Sequence, residues 1–212
     1  HFTAPCAGTV KAINRGEKRV LISVVLQAAA EEEFIDFGAH CPEELVQLDE
    51  ALIRQKLQES GQWVSFRTRP YSHIPEANAK ATAIFVTAMD TRPLAADPKL
   101  VIAEYTEAFQ HGLTVLGRLA PIVYVLYKAC SGVHPAGLPG THIHFLEPAS
   151  EHRFVWHLNY QDVIAIGKLF TTGKLFVDRV IALAGPAVKQ PRLIRTRLGA
   201  NTDSLVSDEL TP

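Results

Sequence analysis

The sequence has few cysteines and no excess of either charge. Cys6, Cys41 and Cys130 are widely spaced and form no CxxC pair, which argues against a disulfide framework or a zinc site and predicts reduced thiols in a cytosolic setting. Lysine and arginine (21) nearly balance aspartate and glutamate (22). The chain therefore carries no strong field that would recruit nucleic acid or an anionic membrane surface.

The sequence also lacks an apolar run long enough to cross a bilayer. Its longest runs, such as residues 20–30, fall short of the roughly 20 residues that a transmembrane helix needs. Hydrophobic residues still make up 47% of the 212 residues, which is enough for a core. We expect one full domain with smaller flanking pieces, and, because the chain opens on His1, a piece of a longer protein.

The two ends of the chain, residues 1–30 and 177–212, are rich in β signals. In the first, "TVKAI" and "VLISVVL" flank the turn "RGEKR", which predicts a hairpin. Its "APCAGTV" resembles the opening strand of lipoyl-like barrel-sandwich domains, but Lys18 lacks the DKA or MKM context of a modified lysine, so we expect a structural hairpin. In the second, period-two alternation predicts the first hairpin of an antiparallel β domain.

Residues 31–79 are predicted to be a linker that contains one helix. Leucines recur at helical spacing from Pro42 to Trp63, and Gly61 is placed to end the helix. The prolines of "RTRPYSHIP" predict a connector without regular structure. Arg67 and Arg69 either belong to a solvated linker, which is the interpretation we favour, or form a clamp that binds an anion.

Residues 80–176 predict a Rossmann-like α/β domain with a parallel sheet. "ATAIFVTAMD" and "PIVYVLY" are apolar runs typical of strands buried on both faces. Between them, Asp97 and Pro98 open a predicted helix with one apolar face. "GTHIHFLEP" predicts a further short strand, and "NYQDVIAIGKLFTTG" predicts a helix that ends at Gly173.

The first crossover of this sheet, "AMDTRPLAADP", contains no glycine. A GxGxxG turn is what lets main-chain amides approach a pyrophosphate, so a dinucleotide held in the usual way is not expected. Asp90 does lie at the carboxyl end of a predicted strand, where ligands of open α/β sheets bind. Its alternative role is to cap the loop by accepting hydrogen bonds from neighbouring amides.

The stretch "SGVHPAGLPGTHIHFLEP" allows three interpretations. His142 and His144 would share one face of a strand, as metal ligands do, but His134 lies across a bend and no acid or cysteine recurs at ligand spacing. Gly137 and Gly140 could expose amides to a phosphate, although no lysine follows. The third interpretation is a glycine-permitted bend with partly buried histidines.

Five stretches of the sequence resemble the NqrA family, which provides one subunit of the bacterial sodium-translocating NADH:quinone oxidoreductase. They are "FTAPCAGTVKAINRGEKRVL", "FVTAMDTRPLAADP", "HPAGLPGTHIHFLEP", "NYQDVIAIGKLFTTGKLFVDRV" and "LAGPAVKQPRLIRTRLGA". More distantly, the order of parts resembles RnfC and the NADH-binding flavin subunit of complex I, where acids help to hold NADH and flavin. Pro139, Gly140 and Thr141 stand at the corresponding positions. The resemblance implies a degenerate nucleotide fold, followed by the start of an SLBB β-grasp domain at residue 177.

The resemblance also implies a function. It implies a peripheral protein on the cytoplasmic face of the bacterial inner membrane, without a cofactor or catalytic residue of its own, docked on membrane partners, foremost the B subunit of the complex. Ubiquinone would be a substrate of the complex, and the residues expected to contact it are Asp90, His134, Gly137, Thr141, His142 and His144. The alternatives are a purely structural docking module without a ligand and a free-standing nucleotide or metal enzyme.

Overall fold

The structure, a computed structural model, describes residues 2–90, 92–127 and 146–211. These ranges contain eight strands in three sheets and five α-helices. The predicted α/β class is therefore confirmed. No helix within these ranges combines the length with the apolar character that crossing a bilayer requires.

Four short strands form the central sheet, in the order β3, β6, β4, β5. They are β3 (Arg67–Arg69), β4 (Ile84–Thr87), β5 (Val123–Leu126) and β6 (Val155–Asn159). Strand β4 runs parallel to β5 and β6, whereas β3 pairs antiparallel with β6. The predicted strands β4 and β5 are confirmed. Burial on both faces holds for β4, where Ile84, Phe85 and Val86 are fully buried, and is wrong for β5, an edge strand in which only Leu126 is buried.

Strand β6 lies between β3 and β4 and was not among the predicted strands. The sequence predicted a strand in "GTHIHFLEP" instead, and residues 140–145 of that stretch lie outside the described residues. Trp156 of β6 is fully buried and packs against Trp63 and Phe66, with ring centroids 5.4 Å away in both cases. This aromatic cluster forms the centre of the larger core.

Three helices between residues 98 and 172 accompany the central sheet, and the last two approach each other closely. They are α2 (Pro98–Glu104), α3 (Thr106–Leu116) and α4 (Tyr160–Thr172). A β-carbon on Gly167 of α4 would lie 1.8 Å from the main-chain oxygen of Ala108 in α3, and one on Gly112 would lie 2.1 Å from that of Val163. Because main-chain atoms cannot move aside easily, the contact between α3 and α4 requires glycine at both positions.

The predicted start and end signals of these helices are confirmed. The side chain of Asp97 accepts a hydrogen bond from the amide of Lys99 at 3.0 Å, and Gly173 ends α4 with φ of 70°. The sequence predicted one continuous helix after Asp97, which is wrong at Tyr105. There φ of −119° and ψ of 35° separate α2 from α3.

The single helix predicted from Pro42 to Trp63 is also divided. The segment contains a 3-10 helix (Pro42–Gln47), α1 (Glu50–Glu59) and a second 3-10 helix (Gln62–Ser65). The division falls before α1 because Asp49, in extended geometry, caps that helix by accepting a hydrogen bond from the amide of Ala51 at 3.2 Å. Gly61, with φ of 76°, ends the helical turn after α1 as predicted.

The prediction of an irregular, solvated connector at residues 67–75 is wrong for its first three residues. Arg67–Arg69 form strand β3, because Pro70 follows the strand and does not interrupt it. The Arg67 guanidinium donates to the main-chain oxygens of Val64 and Phe66 and is not solvated freely. The sheet thus includes residues ahead of position 80, while the division of the chain into domains stays a prediction.

A two-stranded antiparallel hairpin lies near each end of the chain, as predicted. The N-terminal hairpin comprises β1 (Gly8–Arg15) and β2 (Leu21–Ala28), and the C-terminal hairpin comprises β7 (Asp178–Leu183) and β8 (Arg192–Arg197). A short helix, α5 (Thr202–Val206), follows. The N-terminal hairpin places the cross-strand pairs Val10–Leu26 and Ile13–Val24 on one face.

Candidate functional site

A cleft of about 510 Å³ opens at the carboxyl ends of strands β4 and β6. Thr87 ends β4, Asn159 ends β6, and both line what we call the strand-end cleft. Ligands of open α/β sheets bind at this edge, and small-molecule sites have volumes of roughly 300–1,000 Å³. Its ionisable and amide side chains include Arg67, His157, Asn159, Asp162 and Arg179.

His157 lines the cleft from β6, directly opposite Arg67 of β3 in the antiparallel register. Its Nε2 is buried and has no hydrogen-bond partner among the described residues. Burial first, and then the positive charges of Arg69 and Arg67, lower the pKa of His157 to about 4. The imidazole is therefore neutral at neutral pH, with an unmet capacity for hydrogen bonding in the wall of the cleft.

A buried ion pair also lines the cleft. Arg179 of β7 donates to the Asp162 carboxylate of α4 at 3.1 Å, and the two side chains are only 14% and 15% exposed. Burial raises the pKa of Asp162, and the charge of Arg179 opposes that shift. Asn159 caps α4 through its side-chain oxygen, which accepts from the amide of Gln161 at 2.9 Å, while its Nδ2 donates to Asp162 at 2.6 Å.

Arg67 gives the cleft an excess of positive charge. Its guanidinium is held by main-chain oxygens, and no carboxylate of the described residues pairs with it, because Asp162 is already paired with Arg179. The rest of the lining mixes apolar side chains, among them Val64 and Leu158, with polar ones, among them Gln62 and Ser65. A cleft with apolar sides, nitrogen donors and a neutral imidazole suits a planar ligand that carries hydrogen-bond acceptors, such as carbonyl oxygens.

Asp90 lies beside this cleft and does not line it. Its carboxylate accepts a hydrogen bond from the amide of Arg92 at 3.1 Å and lies 3.7 Å from the Arg92 Nε. This is the loop-cap role that the sequence left open as an alternative. Arg92 does line the cleft, and a ligand contact for Asp90 stays a prediction.

The other predicted contact residues fall in a part of the chain that the structure does not describe. His134, Gly137, Thr141, His142 and His144 lie within residues 128–145, outside the described ranges. Their proposed roles stay predictions. Within the described ranges, no group of three or more histidine, cysteine, aspartate or glutamate side chains could hold a metal ion.

Sequence reasoning missed His157, Asn159, Asp162 and Arg179. The signal for His157 was the alternation of "FVWHLN", in which Val155, His157 and Asn159 share one face of a strand. The signal for Asn159 was its place just before the predicted helix "YQDVIAIGKLF", where asparagine is a favoured cap. Arg179 carried no local signal, because its partner lies 17 residues earlier.

Comparison with known families matches the chain in three parts. A model of the NqrA second alpha/beta domain matches residues 48–131 and 122–175. A model of the NqrA N-terminal barrel-sandwich hybrid domain matches residues 1–29, and one of the NQRA C-terminal domain matches residues 180–212. The three matches follow the order of the two hairpins and the α/β core between them.

Individual relatives agree with these matches. The A subunit of the Na(+)-translocating NADH-quinone reductase of Pseudomonas aeruginosa is 54% identical over 226 residues, which cover 100% of this chain and 51% of the relative. Its namesake from Actinobacillus pleuropneumoniae is 53% identical over 229 residues, and the one from Haemophilus influenzae is 52% identical over 228, each with 99% of this chain and 51% of the relative covered. The chain thus spans about half the length of the curated relatives that it matches.

Proposed function

The chain belongs to the NqrA family, and from this premise we propose that it is part of the NqrA protein of a sodium-translocating NADH:quinone reductase. That complex passes electrons from NADH to ubiquinone and couples the transfer to sodium export. The names of the relatives support this role. We further propose a peripheral position on the cytoplasmic face of the bacterial inner membrane, with the B subunit of the complex as the foremost partner, and no catalytic residue in this chain alone.

Within the complex, this chain contributes the strand-end cleft to quinone binding. The observation that carries this proposal is the buried Nε2 of His157, which has no partner among the described residues. A buried nitrogen left unpaired costs roughly 1–3 kcal/mol. On this proposal the imidazole, as its Nε2–H tautomer, turns towards the cleft and donates to a quinone carbonyl, which removes that cost. Asn159 and Arg67 supply further donors nearby, and the apolar side chains suit the ring.

The α/β core is, on the same proposal, a Rossmann-like nucleotide fold that has been reused without a cofactor of its own. Support comes from the first crossover after β4, which contains no glycine, and from Asp90, which is engaged in capping that loop. A turn of this kind presents side chains where a pyrophosphate would need bare main chain.

The test is titration of the full-length protein that carries this chain with a short-tailed ubiquinone, followed by calorimetry. We expect His157→Phe, which keeps a planar ring and removes both nitrogens, to weaken binding about tenfold, as the loss of one buried hydrogen bond implies. His157→Gln, which retains a donor, should weaken it less. His152→Phe changes an exposed histidine outside the cleft and serves as the matched control.

A photoreactive quinone adds a direct reading of position. Label on the residues of the strand-end cleft would support the proposal. Label confined to residues 130–145 would move the site to the stretch that the sequence first suggested, and an affinity equal to that of the wild type in all three variants would contradict a role for His157.

A second candidate function is a structural docking module. The observation that favours it is the exposed apolar face of the N-terminal hairpin, where Val10 is 58% and Ile22 is 68% exposed. Exposed apolar patches of this kind commonly mark interaction surfaces. The two functions are compatible, and the absence of any quinone binding would leave only the second.

A further inference from the structure

A second cleft adjoins the strand-end cleft and differs from it in chemistry. It has a volume of about 550 Å³ and is lined by the N-terminal segment, by residues of the segment 32–37 and by Leu175 and Val177. Its apolar side chains include Phe2, Pro5, Phe34, Ile35, Phe37 and Val177. Its charged side chains are Glu32, Glu33 and Arg197, of which Glu32 and Arg197 form an ion pair at 2.5 Å and Glu33 is exposed. We call it the apolar cleft.

The two clefts share part of their walls. Phe2, Thr3, Pro5 and Leu175 line both of them. Thr3 is anchored, because its hydroxyl donates to the main-chain oxygen of Ser60 at 2.7 Å. A ligand longer than one ring could therefore extend from the strand-end cleft into the apolar cleft along this shared wall.

The far wall of the apolar cleft is held in place by the end of α4. The amide of Phe37 donates to the main-chain oxygen of Gly173 at 2.8 Å, and the Lys174 ammonium lies 4.9 Å from the ring centroid of Phe34. The segment 32–37 is thus attached to the core on one side and presents aromatic and aliphatic side chains to the cleft on the other. Phe34 is 51% and Ile35 is 71% exposed, so both have apolar surface that a ligand could cover.

We infer that the apolar cleft holds the isoprenoid tail of the quinone whose ring, on the function proposed above, lies in the strand-end cleft. The strand-end cleft concentrates the nitrogen donors that a ring with two carbonyl oxygens requires. The apolar cleft offers the hydrocarbon surface that a tail requires, and the shared wall connects them. The ligand class is therefore a long-tailed quinone and not a water-soluble one.

The inference is tested with quinones that share one ring and carry no tail or one, two or three isoprene units. Burial of five carbons per unit should strengthen binding to the full-length protein at least about tenfold for the first unit, with smaller gains once the cleft is filled. In the double variant Phe34→Ser, Ile35→Ser, we expect this gain to shrink to about twofold, while the tail-less quinone keeps its affinity.

Leu100→Ser is the matched control, because Leu100 is 61% exposed on α2 and lies outside both clefts. It should retain the full gain with tail length, which separates burial in the cleft from a general affinity of tails for protein surfaces. Because the two substituted positions are already exposed, the double variant should unfold at the same temperature as the wild type.

The outcomes distinguish the proposed tail site in the apolar cleft from the proposed ring site in the strand-end cleft. A tail-length gain that persists unchanged in the double variant would overturn the tail site and leave the ring site standing. No binding of any quinone of the series to the wild type would overturn the function proposed above, and the tail site with it. A photoreactive group at the end of the tail gives an independent reading on the wild-type protein: label on residues 32–37 supports the inference, and label elsewhere contradicts it.

Discussion

The two hairpins have the same topology and nearly the same length, yet they relate to the α/β core in opposite ways. In the N-terminal hairpin, Val10, Ile13, Ile22 and Val24 are between 46% and 68% exposed. In the C-terminal hairpin, Leu183 is buried and Val180 packs against the main core. Two strands alone are at best marginally stable, so the attachment to the core, rather than the hairpin itself, determines stability.

The attachment of the C-terminal hairpin uses three kinds of contact. The Gln161 side chain donates to the main-chain oxygen of Val180 and accepts from its amide, both at 2.9 Å, and so takes the place of a neighbouring strand. The Tyr105 ring packs edge-on against Phe176 with centroids 5.5 Å apart. The ion pair between Arg179 and Asp162 completes the attachment. The N-terminal hairpin shows no comparable set among the described residues.

The largest difference in the free energy of unfolding is expected between the truncation of a buried and of an exposed apolar side chain. Trp156→Ala removes the fully buried ring at the centre of the aromatic cluster and should lower the free energy of unfolding by about 4 kcal/mol. Ile22→Ala, on the exposed face of the N-terminal hairpin, should lower it by less than about 0.5 kcal/mol. Denaturant unfolding of both variants measures the contrast. A cost above about 1 kcal/mol at Ile22 would show that another surface covers this face.

A smaller but still large effect is expected from the buried ion pair. Arg179→Met leaves the Asp162 carboxylate buried without its partner and should cost about 3 kcal/mol. The double variant Arg179→Met, Asp162→Asn removes both charges and should recover most of that loss. Thermal unfolding of the two variants tests this, and a double variant as unstable as the single one would mean that packing, not charge, attaches the C-terminal hairpin.

The hairpins and the strands β4 and β5 could be predicted because their signals are local. Period-two alternation, a turn motif or a continuous apolar run is contained in a few neighbouring residues. Strand β3 consists of Arg67, Thr68 and Arg69 and carries no apolar signal at all. It forms because Arg67 pairs with His157, far along the chain, and no local pattern encodes that partner.

The candidate site, too, could be predicted from the sequence only in part. The end of β4 was predicted to border a ligand, and the strand-end cleft does lie at that edge of the sheet. His157 could not be placed there, because its position depends on the order of strands β3, β6 and β4. Tertiary pairing, not local pattern, brings His157, Arg67 and Arg179 into one cleft.

Lowering the pH should reduce the free energy of unfolding through His157, which lies in the core and not in the N-terminal hairpin. The expected loss is smaller than that from breaking the buried ion pair. The pKa of His157 is lowered to about 4 in the folded protein, against about 6.5 when unfolded. Below pH 6.5 the unfolded chain binds the proton more readily, so stability falls as the pH drops from 6.5 towards 4. Between pH 7 and pH 5 the loss from this residue should be about 2 kcal/mol.

The matched variant for this effect is His157→Gln, which cannot titrate. Its free energy of unfolding should change less with pH than that of the wild type, by the same amount of about 2 kcal/mol between pH 7 and pH 5. Tryptophan fluorescence during denaturation follows the transition, because Trp156 precedes His157 in β6. Parallel pH curves for the two proteins would contradict a buried, neutral imidazole.

The smallest effect is expected from the exposed ion pair between Arg195 of β8 and Glu104 of α2. The two side chains are 53% and 45% exposed, so water and salt screen their attraction, and Arg195→Ala should destabilise the protein far less than Arg179→Met. Part of that cost would come from the contact of the Arg195 guanidinium with the Tyr105 ring, 5.9 Å from its centroid. Arg195→Met keeps the aliphatic stem and separates stacking from charge. If Arg195→Ala destabilised the protein as much as Arg179→Met, the attachment of the C-terminal hairpin would not depend on burial, and the contrast between the two hairpins would have to be explained by charge alone.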